Sequence, residues 1–165
     1  MYRSPGRLFW CVPVLCGLVL AAAAATAGGN TIRRIDPPRF DALVKNSRRP
    51  LIVAMMASWC GPCIRELPTL DKLYRRYRNR GLDIIGVSLD FEGPAAMQPI
   101  IDSLGVRFPV YWMGEAGVRT YNISGIPLLW IVKNGQVREK ILGGRSESFL
   151  EKKILPLIGV KQPAR

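Results

Sequence analysis

Two continuous apolar runs and the helical pattern between them predict a strand–helix–strand unit. The runs are LIVAMMA, from Leu51 to Ala57, and DIIGVSL, from Asp83 to Leu89. Runs of this length, bounded by turn residues, predict strands buried on both faces. Between them, apolar positions at helical spacing predict a helix from about Pro62 to Asn79, which Gly81 ends. Those positions are Cys63, Leu67, Leu70, Leu73 and Tyr77. A helical connection of this kind predicts that the two strands pair in parallel.

Weaker patterns flank this unit on both sides. Before it, Thr31 to Ile35 predict an edge strand, and Asp36 followed by Pro37 predicts a helix that runs to about Lys45. After it, Asn134-Gly135 between two apolar runs predicts a β-hairpin, because both positions of a type I′ turn need positive φ. The other predicted elements are helices at 95–104, 115–121 and 147–158, a short extended piece FPVYW, and hairpin strands at 128–132 and 136–141. This order predicts an α/β domain with a central mixed β-sheet and helices on both faces.

The first 27 residues have the pattern of an export signal. Arg3 and Arg7 give a positive start, and Leu8 to Ala25 contains no charged residue. Ala25-Thr26-Ala27 supplies the small residues that a signal peptidase reads, with cleavage before Gly28. A retained anchor is the alternative, because the apolar run approaches the ~20 residues of a spanning helix. We therefore predict a signal peptide or N-terminal membrane anchor at 1–27, and one domain at 28–165 in the periplasm or on the outer face of the cytoplasmic membrane.

The chain has four cysteines and no histidine. Cys11 and Cys16 fall in the export segment, which leaves Cys60 and Cys63 for the folded domain. A structural zinc site needs two further Cys or His ligands, so no metal site is predicted, and cysteine-protease chemistry lacks its histidine. The net charge of +12 would suit a nucleic-acid partner, but export and the lack of a binding module argue against one. We interpret the arginine cluster at 75–80 as a solvated helix end.

The spacing of Cys60 and Cys63 favours thiol–disulfide chemistry. Cys60 follows a predicted buried strand and begins a predicted helix, where free backbone amides and the helix dipole stabilise a thiolate. Gly61 permits the tight turn, and Pro62 suits the first helical turn. We expect an accessible Cys60 to attack a partner's disulfide and a more sheltered Cys63 to resolve the mixed disulfide. A static structural bridge is the alternative, although so short a loop would constrain the unfolded chain very little.

The segment ASWCGPC, from Ala57 to Cys63, resembles the active site of thioredoxins. Thioredoxins also have a proline at the spacing of Pro68, and a GIP sequence before a strand–Asn-Gly–strand hairpin, as in Gly125–Pro127 here. The resemblance implies a thioredoxin fold. It also implies that Pro127 is cis, lies against the cysteine pair and helps to hold the substrate chain. The residues that it places next to the substrate are Trp59, Gly61, Pro62 and Ile126.

A second resemblance refines the first. WCGPCIRELP matches the W-C-x-P-C-x-x-E-x-P pattern of the exported TlpA/ResA-type proteins, and the stretch around residues 90–112 resembles their extra segment. Thioredoxins have an acidic residue six positions before the first cysteine, where this chain has Ala54. Glu66 is the candidate replacement, because it lies three residues after Cys63 on the same helix face. If buried, it would have a raised pKa suited to proton exchange with Cys63. The alternative is an ordinary exposed helix glutamate.

Together these features predict an exported thiol–disulfide oxidoreductase that reduces protein disulfides and uses no cofactor beyond its own redox-active disulfide. The resemblance implies exported disulfide-containing substrates, with apocytochrome c as a candidate, and a membrane electron donor of the DsbD/CcdA type. The N-terminus could add membrane association. One alternative is a disulfide oxidant or isomerase. Another is a non-catalytic copper chaperone on the same scaffold, although the chain lacks the cysteine spacing and the histidine that such chaperones usually have. A third is a peroxidase, although the segment around Cys60 does not resemble the activating loop of a peroxidatic cysteine.

Overall fold

Six strands form one sheet in the computed structural model, which describes residues 30–160. The strands are β1 (Arg33–Arg34), β2 (Leu51–Met56), β3 (Asp83–Ser88), β4 (Val110–Trp112), β5 (Leu128–Lys133) and β6 (Gln136–Leu142). The α-helices are α1 (Pro37–Lys45), α2 (Gly61–Tyr77), α3 (Pro94–Leu104), α4 (Gly114–Tyr121) and α5 (Glu147–Ile154). The predicted signal or anchor segment lies outside the described residues. Within 30–160, none of the helices has the length and apolar character needed to cross a membrane.

The sheet is mixed, with the strand order β1-β4-β3-β2-β5-β6. Strands β1, β4, β3 and β2 pair in parallel, whereas β5 is antiparallel to both β2 and β6. The predicted parallel pairing of the two apolar runs is therefore confirmed, with Ile52 opposite Ile84. The segment around residues 90–112 contributes helix α3 and strand β4, and β4 lies between β1 and β3.

Strand β2 separates two hydrophobic cores, one on each face of the sheet. All six of its residues are buried, and successive side chains point to opposite faces. Ile52, Ala54 and Met56 pack in the core that contains the apolar faces of α2, α3 and α5. Leu51, Val53 and Met55 pack in the core that contains the apolar faces of α1 and α4. The mixed sheet with helices on both faces is therefore confirmed.

Most predicted boundaries agree with the structure, and the differences have local causes. Asp36 caps α1, since its Oδ1 accepts a hydrogen bond from the Arg39 amide at 2.8 Å. Strand β1 has two residues where five were predicted, because its partner β4 is itself short. Helix α5 ends at Ile154 and not at 158, because Pro156 has no amide to continue the helical hydrogen bonds.

The Asn134-Gly135 turn gives a test of this packing. Both residues have positive φ, 53° and 71°, as the hairpin prediction requires, and a Cβ on Gly135 would overlap the backbone carbonyl of Lys45 at the end of α1. We expect Gly135→Ala to lower the free energy of unfolding by at least about 2 kcal/mol. Gly105→Ala is the matched control: its φ is 60° but nothing lies within 4 Å of the added Cβ, so its loss should be about 1 kcal/mol. Urea unfolding measures both values, and equal losses would contradict the proposed overlap.

Candidate active site

The two cysteines lie where β2 passes into α2. The connection 57–60 is a tight turn, in which the Cys60 amide donates to the Ala57 carbonyl at 3.0 Å. Cys60 is the N-cap of α2, and its Sγ accepts a hydrogen bond from the Cys63 amide at 3.2 Å. Cys60 and Cys63 are joined by a disulfide, with their Cα atoms 5.2 Å apart. Gly61 and Pro62 form the start of the helix between them.

The cysteine pair is more buried than the sequence suggested. Cys60 is 5% exposed and Cys63 is 2% exposed, so Cys60 has only slight exposure in the disulfide form, and Cys63 is the more sheltered of the two. The reason is that both side chains belong to the core between β2 and α2. Trp59, by contrast, is 64% exposed beside the pair. A partner can therefore reach Cys60 only by contacting the surface around it.

Pro127 lies at the same edge of the sheet as the cysteine pair. It directly precedes β5, and β5 pairs antiparallel with β2, so that Leu128 lies opposite Met55. The Ile126–Pro127 peptide bond is cis, as the resemblance to thioredoxins implied. The Pro127 carbonyl accepts a hydrogen bond from the Gly143 amide at 2.7 Å, which joins the start of β5 to the segment after β6. The roles of Pro127 and Ile126 in substrate binding stay predictions.

Glu66 is buried in α2, one turn after Cys63. It is 6% exposed, so the alternative of an ordinary exposed helix glutamate is wrong. Its Oε1 accepts a hydrogen bond from the Arg145 amide at 2.8 Å. Burial raises the pKa of Glu66 above its ordinary value of 4.5, and the hydrogen bond and positive charge of Arg145 only partly offset that rise. Its role in proton exchange stays a prediction.

A groove of about 370 Å³ borders Glu66. It lies between the first turns of α2 and the segment that joins β6 to α5. Its lining residues are Pro62, Arg65, Glu66, Thr69, Gly144 and Arg145. The groove gives the carboxyl group a route to solvent.

Asp90 is a residue that the sequence analysis missed. It follows β3 and is 0% exposed. Its Oδ1 accepts two hydrogen bonds from Ser58, one from the amide at 2.8 Å and one from Oγ at 2.6 Å. The available signal was topological: Ser58 and Asp90 each follow a predicted strand of a parallel pair, and the carboxyl ends of parallel strands share one edge of a sheet.

The arginine cluster that the sequence shows after residue 74 lies away from this edge. The cluster Arg75, Arg76, Arg78 and Arg80 lies at or just beyond the far end of α2, where Arg75 pairs with Asp71 and Arg76 pairs with Glu151 of α5. In the part of the chain that the structure describes, no three His, Cys, Asp or Glu side chains come together as metal ligands. The chemistry that this edge offers is that of two neighbouring sulfur atoms and two buried carboxyl groups, those of Glu66 and Asp90.

Comparison with known proteins agrees with this geometry. Residues 39–139 match the AhpC/TSA family. The chain belongs to that family. Within it, the chain is 34% identical over 104 residues to the thiol-disulfide oxidoreductase ResA of Bacillus thuringiensis (strain Al Hakam). That match spans 60% of this chain and 60% of the ResA chain. The predicted resemblance to ResA-type proteins is thus confirmed.

Solved structures of similar proteins identify the fold as the thioredoxin fold. A thiol:disulfide interchange protein of the thioredoxin family from Chlorobium tepidum TLS superposes with a TM-score of 0.63 and 24% identity, over 72% of this chain and 85% of that chain. A thioredoxin-like protein from Porphyromonas gingivalis superposes with a TM-score of 0.59 and 28% identity, over 69% of this chain and 78% of that chain. This AhpC/TSA family member therefore has the predicted fold.

The buried position of Glu66 predicts a pH-dependent stability. Because burial favours the protonated carboxyl group, the folded chain binds a proton at Glu66 more tightly than the unfolded chain does. The wild type should therefore lose stability relative to Glu66→Gln as the pH rises from 4.5 through the raised native pKa, and the difference should then level off. Gln keeps an oxygen for the Arg145 amide but does not titrate.

Urea unfolding of the oxidised protein between roughly pH 4 and pH 8 measures this difference, and the disulfide keeps the cysteines from titrating. A difference in stability that does not change with pH would contradict the assignment of a raised pKa to Glu66.

Proposed function

We propose that this protein is an exported thiol–disulfide oxidoreductase that reduces disulfides in other proteins. The observation that carries the proposal is the disulfide-bonded pair Cys60–Cys63 at the start of the 17-residue helix α2. The Cys63 amide already points at the Cys60 sulfur. In the reduced protein, that amide and the helix dipole would stabilise a Cys60 thiolate. The name and likeness of ResA support the same chemistry.

The reaction begins with attack by the Cys60 thiolate on one sulfur of a client disulfide. A mixed disulfide forms between Cys60 and the client, and the second client sulfur leaves as a thiolate and takes a proton. Cys63 then loses its proton and attacks Cys60, which releases the first client sulfur as a thiolate that is also protonated. The client has gained two electrons, and the protein has the Cys60–Cys63 disulfide. A membrane electron donor of the DsbD/CcdA type would return the pair to the dithiol.

Glu66 is the group that we assign to proton exchange with Cys63. Strand β2 has no carboxyl group of its own facing α2, where Ala54 packs in the core. Glu66 lies one helical turn after Cys63 on the same helix, is buried, and has a raised pKa. A carboxyl group with a pKa nearer to neutrality is better suited to accept the Cys63 proton. The groove beside Glu66 supports onward transfer of that proton to water.

The client chain is proposed to lie along the edge of the sheet next to Pro127. Trp59, Gly61 and Pro62 border the cysteine pair on one side, and Ile126 and Pro127 approach the same edge from β5. The side chain of Trp59 is exposed and offers an apolar contact. Exported proteins with disulfides are the client class, and apocytochrome c is the candidate that the likeness to ResA-type proteins favours.

Serine substitutions test the separate roles of the two cysteines. We expect Cys60→Ser to abolish disulfide exchange, because a serine hydroxyl cannot form the mixed disulfide. We expect Cys63→Ser to accumulate that mixed disulfide, because the resolving thiol is missing. Non-reducing electrophoresis of exported extracts, followed by mass spectrometry, detects the trapped partner. The double variant Cys60→Ser/Cys63→Ser is the control for trapping through Cys11 or Cys16, and trapping by Cys60→Ser in place of Cys63→Ser would reverse the assigned roles.

The reduction potential of the pair tests the direction of the reaction. A reductase should have a potential near or below about −250 mV, on the thioredoxin side of the known range. Equilibration against a glutathione or dithiothreitol series measures it. A value near about −120 mV would instead indicate a disulfide oxidant. Stoichiometric tight binding of copper(I) to the reduced protein would favour the chaperone alternative, and both outcomes would contradict the reductase.

A further inference from the structure

Asp90 links the 57–60 turn to strands β3 and β4. Glu66, Asp71 and Asp90 are the buried carboxyl residues among residues 30–160, and Asp90 is the one with no exposed surface at all. A carboxyl group is costly to bury unless hydrogen bonds replace its contacts with water. The contacts of Asp90 therefore show which parts of the molecule this residue holds together.

One carboxyl oxygen of Asp90 holds the turn that leads to Cys60. Oδ1 accepts hydrogen bonds from both the amide and the hydroxyl group of Ser58, at 2.8 Å and 2.6 Å. Ser58 lies in the four-residue connection 57–60, two residues before the nucleophile that we propose. That connection has its own turn hydrogen bond, from the Cys60 amide to the Ala57 carbonyl. The Ser58–Asp90 contacts are thus what ties the turn to the neighbouring strand.

The other polar atoms of Asp90 are fixed to β3 and β4. Oδ2 accepts a hydrogen bond from Oγ of Ser88, a fully buried residue at the end of β3, at 2.7 Å. The Asp90 backbone carbonyl accepts one from Nε1 of Trp112, at the end of β4, at 2.7 Å. Each link runs to a strand of the same sheet, so the carboxyl group has little freedom to move relative to β2.

We infer that Asp90 is a positioning residue for Cys60: through Ser58 it holds the 57–60 turn in the geometry that disulfide attack requires. The inference rests on the proposed thiol–disulfide chemistry of Cys60. Attack on a disulfide needs the attacking sulfur to be aligned with the bond that breaks, and a misplacement of about 1 Å can cost roughly 100-fold in rate. A turn of four residues at the end of a strand can move by such a distance when its link to the next strand is removed.

The test measures the rate at which the reduced full chain reacts with oxidised glutathione across a pH series. Asp90→Ala removes all side-chain links and should lower the plateau rate by about tenfold or more. Asp90→Asn keeps an oxygen for both Ser58 bonds and an amide for Ser88 Oγ, so its plateau rate should stay within about twofold of wild type. Ser58→Ala removes one of the two bonds and should lower the rate by about threefold.

Asp71→Ala is the matched control for loss of a buried aspartate. Asp71 is also buried and accepts a hydrogen bond from a distant amide, that of Arg107, at 2.7 Å, but it lies two turns beyond Cys63 on α2. This variant should lose stability and keep a rate within about twofold of wild type. An equal loss of rate in Asp71→Ala and Asp90→Ala would overturn the inference, because general destabilisation would then explain both.

Three further results would overturn it. The first is a wild-type rate in Asp90→Ala. The second is an equally slow Asp90→Asn, which would mean that the charge acts and not the hydrogen bonds. The third, which decides the matter where Asp90→Ala does not fold, is a wild-type rate in Ser58→Ala.

Hydrogen exchange of the Ser58 and Cys60 amides provides a readout that does not depend on activity. We expect protection to be lost in Asp90→Ala and kept in Asp90→Asn. Unchanged protection in Asp90→Ala would also overturn the inference. A wild-type protein that reacts with neither oxidised glutathione nor a protein disulfide would contradict the proposed function, and the exchange measurement would still decide whether Asp90 holds the turn.

Discussion

Strand β2 is buried on both faces, and the position of the active site depends on this constraint. A strand with helices on both sides must be apolar throughout, and each fully buried Leu, Ile or Met contributes about 1.5–3 kcal/mol to the core. Polar and reactive side chains can therefore be placed only after the end of β2, in the connection 57–60. The parallel strand β3 ends at the same edge with Asp90, and the antiparallel strand β5 starts there after Pro127. Sheet topology thus brings three separate segments to the cysteine pair.

The two buried carboxyl groups at this edge differ in how they are held. The carboxyl group of Asp90 accepts three hydrogen bonds, two from Ser58 and one from Ser88, whereas that of Glu66 accepts one, from the Arg145 amide. A carboxyl group that many donors satisfy is well suited to hold a segment in place. A desolvated carboxyl group with few donors has a raised pKa and is better suited to exchange a proton. This difference supports the proposed positioning role of Asp90 and the proposed proton exchange by Glu66.

Local pattern predicted most of the fold, and contacts between distant residues account for what it missed. The strands, helices and Asn134-Gly135 hairpin follow from periodicity and turn chemistry, which act over a few residues. The cysteine pair and Glu66 are likewise close in sequence. The Ser58–Asp90 bonds span 32 residues and the Arg145–Glu66 bond spans 79, so they depend on strand register that no local pattern specifies. The low exposure of Cys60 also depends on tertiary packing, because β2 and α2 enclose it together.

The burial of Cys60 has a consequence for how partners are selected. Because the sulfur is almost enclosed in the disulfide form, a partner must dock on the surrounding surface before exchange can occur. That surface combines the exposed apolar side chain of Trp59 with the cationic side chains of Arg65 and Arg145 in the groove beside Glu66. Small disulfides meet few of these contacts, whereas an extended protein chain meets many. Under the proposed function, discrimination among partners would reside in the surface around the cysteines, while the helix terminus that carries them would supply reactivity common to any disulfide.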